Sequence, residues 1–273
     1  LPGRFRVRRV RPAGVHSCPV WDLPVEGALL WQRLGVPRVE QLQGERRALA
    51  EVSQALAATL AEALRLLRPR LGFDAVWLGG GLTALPGFAA AVASAVPAPR
   101  VTISERGRWS FEPGGRALCA EAALIDVGQT AIKAVFRGLR VLRERDLRRL
   151  PLRLIGEDGR SRDAPPADAA DFLASALREV LRLSPASLVL ALPCPLDDDG
   201  TPGPCTYGFQ GDRSLVPEAL RRADEGGPPC DVLLLEDSEL AALAARAELG
   251  LSPEGRGLAL GLGFGPGAAL WQA

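Results

Sequence analysis

Apolar positions along this chain recur at two periods, and their alternation predicts an α/β protein. Over residues 45–71, Leu49, Val52, Leu56, Leu60, Leu64 and Leu67 return at three- and four-residue steps with alanine between them. That is the buried stripe of a long packing helix, and Gly72 stops it. Phe172, Leu173, Leu177, Val180 and Leu181 mark a second amphipathic helix over 169–183, and residues 86–96, 115–123 and 238–249 read as three more. Short apolar runs instead predict buried strands at 73–78, 187–192, 232–235 and 268–271, with a further short strand at 101–104. Residues 4–10 alternate Phe5 and Val7 with arginine, as an edge strand with one solvated face does.

Several strands run into glycine turns. The stretch LIDVGQTAIKAVF, residues 124–136, is a strand, a tight turn, and apolar residues resuming at period two. In a phosphate-gripping hairpin, Asp126 would hold a metal-bound water, Gly128 would let backbone amides approach a polyphosphate, and Thr130 would add a hydroxyl donor. A hairpin also requires glycine for conformational reasons alone, so both readings stand on this pattern. Gly79, Gly80 and Gly81 follow the strand at 73–78, where a ligand or close packing of the chain equally explains them. A third glycine turn lies in LALGLGFGPG, residues 258–267. The strand at 232–235 delivers Glu236 and Asp237 to a helix start, where a carboxylate serves as a cap or as a general base. Residues 193–211 form a loop rich in proline and glycine, in which Asp197, Asp198 and Asp199 read as a solvated acidic turn rather than a metal site. Residues 156–168 read as a mobile loop or sheet edge.

Composition narrows the function classes. Of 273 residues 47% are hydrophobic, enough for a substantial core, and the formal net charge of +1 creates no field that calls for nucleic acid or an anionic membrane. Cys18, Cys119, Cys194, Cys205 and Cys230 are widely spaced, so neither a zinc cluster nor a disulfide framework is indicated, and a cytoplasmic location fits. No apolar run reaches the roughly 18 residues of a membrane helix. Lys133 is the one lysine and His16, in a loop containing proline and glycine, the one histidine. The first residue is Leu1 rather than Met, which leaves open a native start upstream.

Together these turns resemble the actin-like ATPase and sugar kinase superfamily, within it the repressor, open reading frame and kinase (ROK) sugar kinases. Residues 124–136 look like the first phosphate motif, ALPCPLDDDG (191–200) like the P-G-P-V-D segment, and EDSELAALAARAELG (236–250) like the N-D-A-N-A-A-A-L-A-E segment. Residues 260–267 look like the second phosphate motif and VWLGGGLTALP (76–86) like the adenosine motif. The family places its adenosine motif last, so the chain resembles a circular permutant whose ends are neighbouring strands of one sheet. The resemblance implies a two-lobed, ribonuclease H-like fold with mixed sheets flanked by helices. Residues 1–115 would form the first part of a larger lobe, 116–235 a smaller lobe, and 236–273 the rest of the larger lobe.

It further implies an ATP- and Mg-dependent kinase acting on a hydroxyl of a sugar or sugar-like small molecule, in a possible homodimer, with two lobes closing to exclude water. By resemblance Asp237 is the general base. Asp126, Gly128, Gln129, Thr130, Lys133, Gly261, Gly263 and Gly265 bind nucleotide phosphates, with Asp126 on the metal side, and Gly79, Gly80 and Gly81 carry adenosine. Glu236 and His16 contact the acceptor. The chain departs from the family in having Glu236 for a sugar-binding Asn, Leu262 for a phosphate-binding Thr, Gln129 for a Gly or Thr, and no zinc-binding cysteine cluster. Those departures motivate an alternative: a non-catalytic nucleotide- or sugar-binding scaffold or sensor.

Overall fold

The computed structural model describes residues 3–20, 23–97, 100–128, 131–144, 166–203, 213–250, 255–263 and 266–272. The architecture is α/β, with two mixed sheets flanked by helices and a small two-stranded ribbon. The chain divides into two compact units, Leu1–Arg11 with Leu118–Asp237, and Pro12–Ala117 with Ser238–Ala273. Residues 1–11 therefore belong with the middle of the chain, whereas the resemblance groups them with the residues that follow them.

The elements of the first unit are β1 (Phe5–Arg9), and, far along the chain, β7 (Ala123–Val127), β8 (Ala131–Phe136), β9 (Leu139–Glu144), α6 (Pro166–Leu181), β10 (Ser187–Leu192), α7 (Leu215–Ala223) and β11 (Cys230–Glu236). Its sheet runs β1-β11-β10-β7-β8-β9. β7, β8 and β9 form an antiparallel meander, while β7, β10, β11 and β1 are parallel. α6 and α7 pack Leu173, Leu177, Leu215 and Leu220 against Ile125, Leu188, Leu190 and Val232 in one apolar cluster. Strands buried on both faces read as continuous apolar runs, which is why SLVLAL carries no alternation.

In the second unit the chain runs β2 (Val15–Cys18), β3 (Pro24–Val25), β4 (Ala28–Leu29), α1 (Leu30–Arg33), α2 (Val36–Gly44), α3 (Leu49–Leu71), β5 (Ala75–Gly79), α4 (Phe88–Ala95), β6 (Arg100–Ile103) and α5 (Glu112–Leu118), then α8 (Asp237–Leu249, which begins at the last residue of the first unit), β12 (Gly257–Leu262) and β13 (Pro266–Trp271). Its larger sheet runs β2-β13-β12-β5-β6, again three antiparallel strands followed by two parallel ones. Apart from the extra edge strand β1, the two sheets share one order and one set of directions.

Alternation along β5 and β12 sends Val76, Leu78, Leu258, Leu260 and Leu262 to α3 and α4, and Trp77 and Ala259 to the face that α8 covers. Burying each of the large aliphatic side chains stabilises the fold by about 1.5–3 kcal/mol. α8 carries alanines at 241, 242, 244 and 245, small enough to admit the rings of Trp77 and Trp271. α3 ends at Gly72, which takes the left-handed conformation (φ 64°) and returns its N–H to Arg68.

The last strand, β13, is flanked by β2, and the first, β1, lies in the other sheet beside β11. The expectation that the two terminal strands are neighbours is thus corrected: the strand next to β13 is the second in the chain. Arg4 carries a main-chain carbonyl that accepts from Cys230, and the parallel register with β11 draws β1 away.

Candidate functional site

In the first unit the candidate residues gather where β7, β10 and β11 end. Asp126 lies opposite Lys133 in the β7–β8 ladder, and the ammonium donates to the carboxylate in a short ion pair whose side chains are 12% and 17% exposed. So little exposure makes the pair interdependent, since either charge alone would be poorly solvated. Gly128 donates its N–H to Ala131 (2.8 Å), and a Cβ on it would lie 2.9 Å from that same oxygen, so the turn itself requires glycine. Gln129 and Thr130 lie outside the described residues.

Glu236 ends β11 and is buried. Its Oε1 accepts the Leu196 N–H (3.1 Å) and the Arg9 guanidinium (3.3 Å). The sequence reading named Glu236 as an acceptor ligand; in the structure this oxygen is engaged by the chain itself. Asp237, one residue on, opens α8 and is half-buried. The positive end of the helix dipole favours a carboxylate there.

In the second unit, Gly79, Gly261 and Gly267 stand in register across β5, β12 and β13. A Cβ on Gly79 would meet the Trp77 ring at 2.2 Å, and one on Gly80 (φ +99°) the Leu262 carbonyl at 2.4 Å. Those two glycines are therefore required by packing. Gly80 also gives its N–H to Ser110 Oγ (2.9 Å), while Trp77 Nε1 donates to Glu248 (2.8 Å), which accepts from Ser104 as well (2.9 Å). Gly81 and Gly263 differ: a Cβ on either would meet nothing within 4 Å, so backbone lies open there to a ligand. Gly261 has its nearest neighbour at 3.9 Å. Gly265 lies outside the described residues. Leu262, where the resemblance expects threonine, is fully buried in the core.

His16 lies in β2, an edge strand, rather than in a loop, because its segment pairs with β13 from the far end of the chain. Its neighbour Ser17 shares a hydrogen bond with Ser238 (2.8 Å), the residue after Asp237. Successive side chains of a strand point to opposite faces, so exposed His16 points away from the start of α8. Sequence reasoning missed Arg9, Ser17 and Ser110, whose partners are distant in the chain; only the arginine-rich composition of β1 gave any signal.

Among the described residues no group of three or more His, Cys, Asp or Glu side chains is placed to hold a metal. Asp126 fits the smaller demand of Mg bound to a nucleotide, for which phosphate oxygens and water complete the shell. Lys133 beside it suits a phosphate within the first unit, and within the second unit the open backbone at Gly263 does so separately, while Gly261 is held in the β12 ladder. Cys18, Cys119, Cys194 and Cys230 are free thiols, and burial pushes Cys230 up to about 11, which makes it inert. No helix among the described residues is long and apolar enough to cross a membrane. In comparison with known proteins, no family model, no curated protein and no solved structure matches the chain.

Proposed function

We propose that this protein is an ATP-dependent phosphotransferase of the actin-like, ribonuclease H-like kind, circularly permuted, that phosphorylates a hydroxyl of a sugar or sugar-like small molecule. The observation that carries the reading is the repeated strand plan: three antiparallel strands followed by two parallel ones, once in each unit, with glycine turns and an Asp–Lys pair at strand ends. In open α/β sheets, ligands bind beyond the carboxyl ends of the parallel strands, where Asp126, Glu236 and Asp237 stand.

Bound Mg-ATP would supply the transferable phosphoryl group and a cation to offset its charge. The chain's own residues do the rest. Within the first unit Lys133, positioned by Asp126, offers a positive charge to phosphate oxygens; within the second, Gly263 leaves main chain open to a phosphate, and Gly81 leaves room for the adenosine. Asp237 accepts the proton of the acceptor hydroxyl, a step that general bases typically accelerate by about a hundredfold to ten-thousandfold.

The test is ADP release with Mg-ATP across hexoses, amino sugars and polyols. Acceptor-dependent release in the natural protein that falls at least about a hundredfold in Asp237→Asn, with ATP binding retained, is the expected outcome. One observation favours a second reading, a non-catalytic binding scaffold: Glu236 is committed to Leu196 and Arg9 within the chain. ATP binding with no turnover for any acceptor would decide for it.

A further inference from the structure

We propose that Arg9 and Glu236 form a clasp that fixes the segment 193–203 as the acceptor-side wall beside Asp237, and that Arg9 is thereby a positioning residue for phosphoryl transfer. The inference rests on the kinase reading above and concerns the part of the site that the resemblance leaves open.

Among the described residues, β1 is the one strand of the first sheet without a counterpart in the second. Its last residue, Arg9, pairs in register with Leu234, and Val10 continues the ladder by donating to the Leu234 carbonyl (2.8 Å). The strand thus brings Arg9 to the end of β11, two residues before Glu236. Arg9's side chain is only 5% exposed, and it also donates to the Val10 carbonyl, so it is a built-in group rather than a surface charge.

Glu236 Oε1 receives both the Arg9 guanidinium (3.3 Å) and the buried Leu196 N–H (3.1 Å), so one oxygen joins β1, β11 and the segment leaving β10. That segment departs beside Glu236, because Leu192 and Glu236 are register partners. It is internally braced: Leu196 bridges Pro202, Asp197 donates its N–H to Thr201 (3.2 Å), and Gly203 donates to Pro195 (2.7 Å). Arg11 pairs with Asp198, and a Cβ on Gly200 would lie 3.0 Å from Leu234 Cδ2 and 4.0 Å from Arg9 Cβ. The segment therefore meets the N-terminal stretch and β11 at three places, of which the Leu196–Glu236 bond lies one residue before Asp237 in the chain. The Arg9–Glu236 pair is little exposed, and a charge-assisted bond in that setting holds geometry more firmly than the exposed Arg11–Asp198 pair does.

The chemistry follows from position. A neutral Asn at 236 would present its amide to a sugar; Glu236 directs an oxygen inward and leaves acceptor contact to the wall it holds. Removing Arg9 loosens the wall without touching the phosphate groups, so acceptor affinity and alignment suffer while nucleotide binding does not.

The experiment uses the full chain with Arg9→Met, Arg9→Lys and Glu236→Gln, and Arg6→Met as a control on the same strand, where Arg6 is exposed. Amide hydrogen exchange at Leu196 is read without substrate, and KM and kcat are read separately for acceptor and ATP. Arg9→Met is expected to speed Leu196 exchange and raise acceptor KM by about tenfold each, with the KM for ATP within about twofold, Arg9→Lys giving partial rescue and Arg6→Met behaving as the natural protein. Should Arg9→Met fail to fold, Glu236→Gln, which keeps an acceptor for Leu196 but removes the charge, is expected to give the same split. Equal loss for acceptor and ATP, or an Arg9→Met variant indistinguishable from Arg6→Met, overturns the clasp. If the natural protein turns over no acceptor, the kinase reading fails and Arg9's part in a reaction fails with it; faster Leu196 exchange in Arg9→Met then identifies the clasp as architecture alone.

Discussion

Lys133 and Asp126 face each other across one antiparallel pair, where each has lost most of its water and each supplies the charge the other lacks. The surface offers a contrast. Glu218 on α7 accepts from Arg221 and Arg222 at 2.7 Å, and these bonds, Arg221's foremost, hold its carboxyl at about 2 rather than near 4.5. A carboxyl lowered on folding stabilises the fold above its unfolded value and loses that contribution as pH falls through the folded one. Glu218→Gln should accordingly melt below the natural protein near neutral pH, and the gap should narrow as pH falls from about 4.5 toward about 2. Thermal melts of both proteins across that window check it; a gap that stays constant would mean the pair acts through packing. Because the group is largely exposed, its effect is small.

The glycine turn after β5 shows at the level of an element what a sequence leaves open. Three consecutive glycines were compatible with ligand approach or with self-packing, and the structure divides them: Gly79 lies under Trp77 and Gly80 against Leu262, while a Cβ on Gly81 would meet open space. Gly79→Ala and Gly80→Ala should each cost about 1–3 kcal/mol in denaturant unfolding, because neither a ring packed on both sides nor a strand backbone can yield to a Cβ. Gly81→Ala should unfold with the natural protein, yet raise the KM for ATP if adenosine passes over it. Elsewhere, local periodicity was enough. α3 begins at Leu49 rather than residue 45 but follows the predicted stripe to Leu71, and β10 covers the predicted 187–192. His16 was read as a loop residue because β2 is only four residues long and is a strand solely by virtue of β13 beside it. Pairing partners drawn from opposite ends of a chain leave no periodic trace in either segment. For the same reason Arg9 looked like an ordinary arginine of an edge strand, since its carboxylate partner is 227 positions away. Gln129, Thr130, Gly265 and the predicted loop over 156–165 lie outside the described residues.

Taken whole, the chain carries one strand plan twice and breaks it in only one of the two units. In the first unit the described elements β7, β8, β9, α6, β10, α7 and β11 follow one another in chain order. In the second the corresponding series begins with β12 and β13 at the end of the chain and resumes with β2 near its start. The cut is closed non-covalently: Trp271 pairs with Val15, and Gln272 donates to the Gly14 carbonyl at 2.7 Å. Residues so placed in an antiparallel pair can be joined by a two-residue turn, for which Asn-Gly has the right backbone twist. A chain opened between Ala120 and Glu121, both exposed, and closed by Asn-Gly from Gln272 to Gly14 should therefore fold with the same secondary structure, since permutation succeeds at exposed breaks with adjacent ends. Such a chain lacks residues 1–13, and with them β1, Val10 and Arg9. Its circular dichroism should match the natural protein and its unfolding remain cooperative at lower stability, with β11 now the exposed edge. If the clasp acts as proposed, its acceptor KM should rise like that of Arg9→Met while its KM for ATP holds. A permuted chain that unfolds without cooperativity would show that β1 is needed to complete the first sheet, and a folded one with unchanged acceptor KM would show that the wall stands without Arg9.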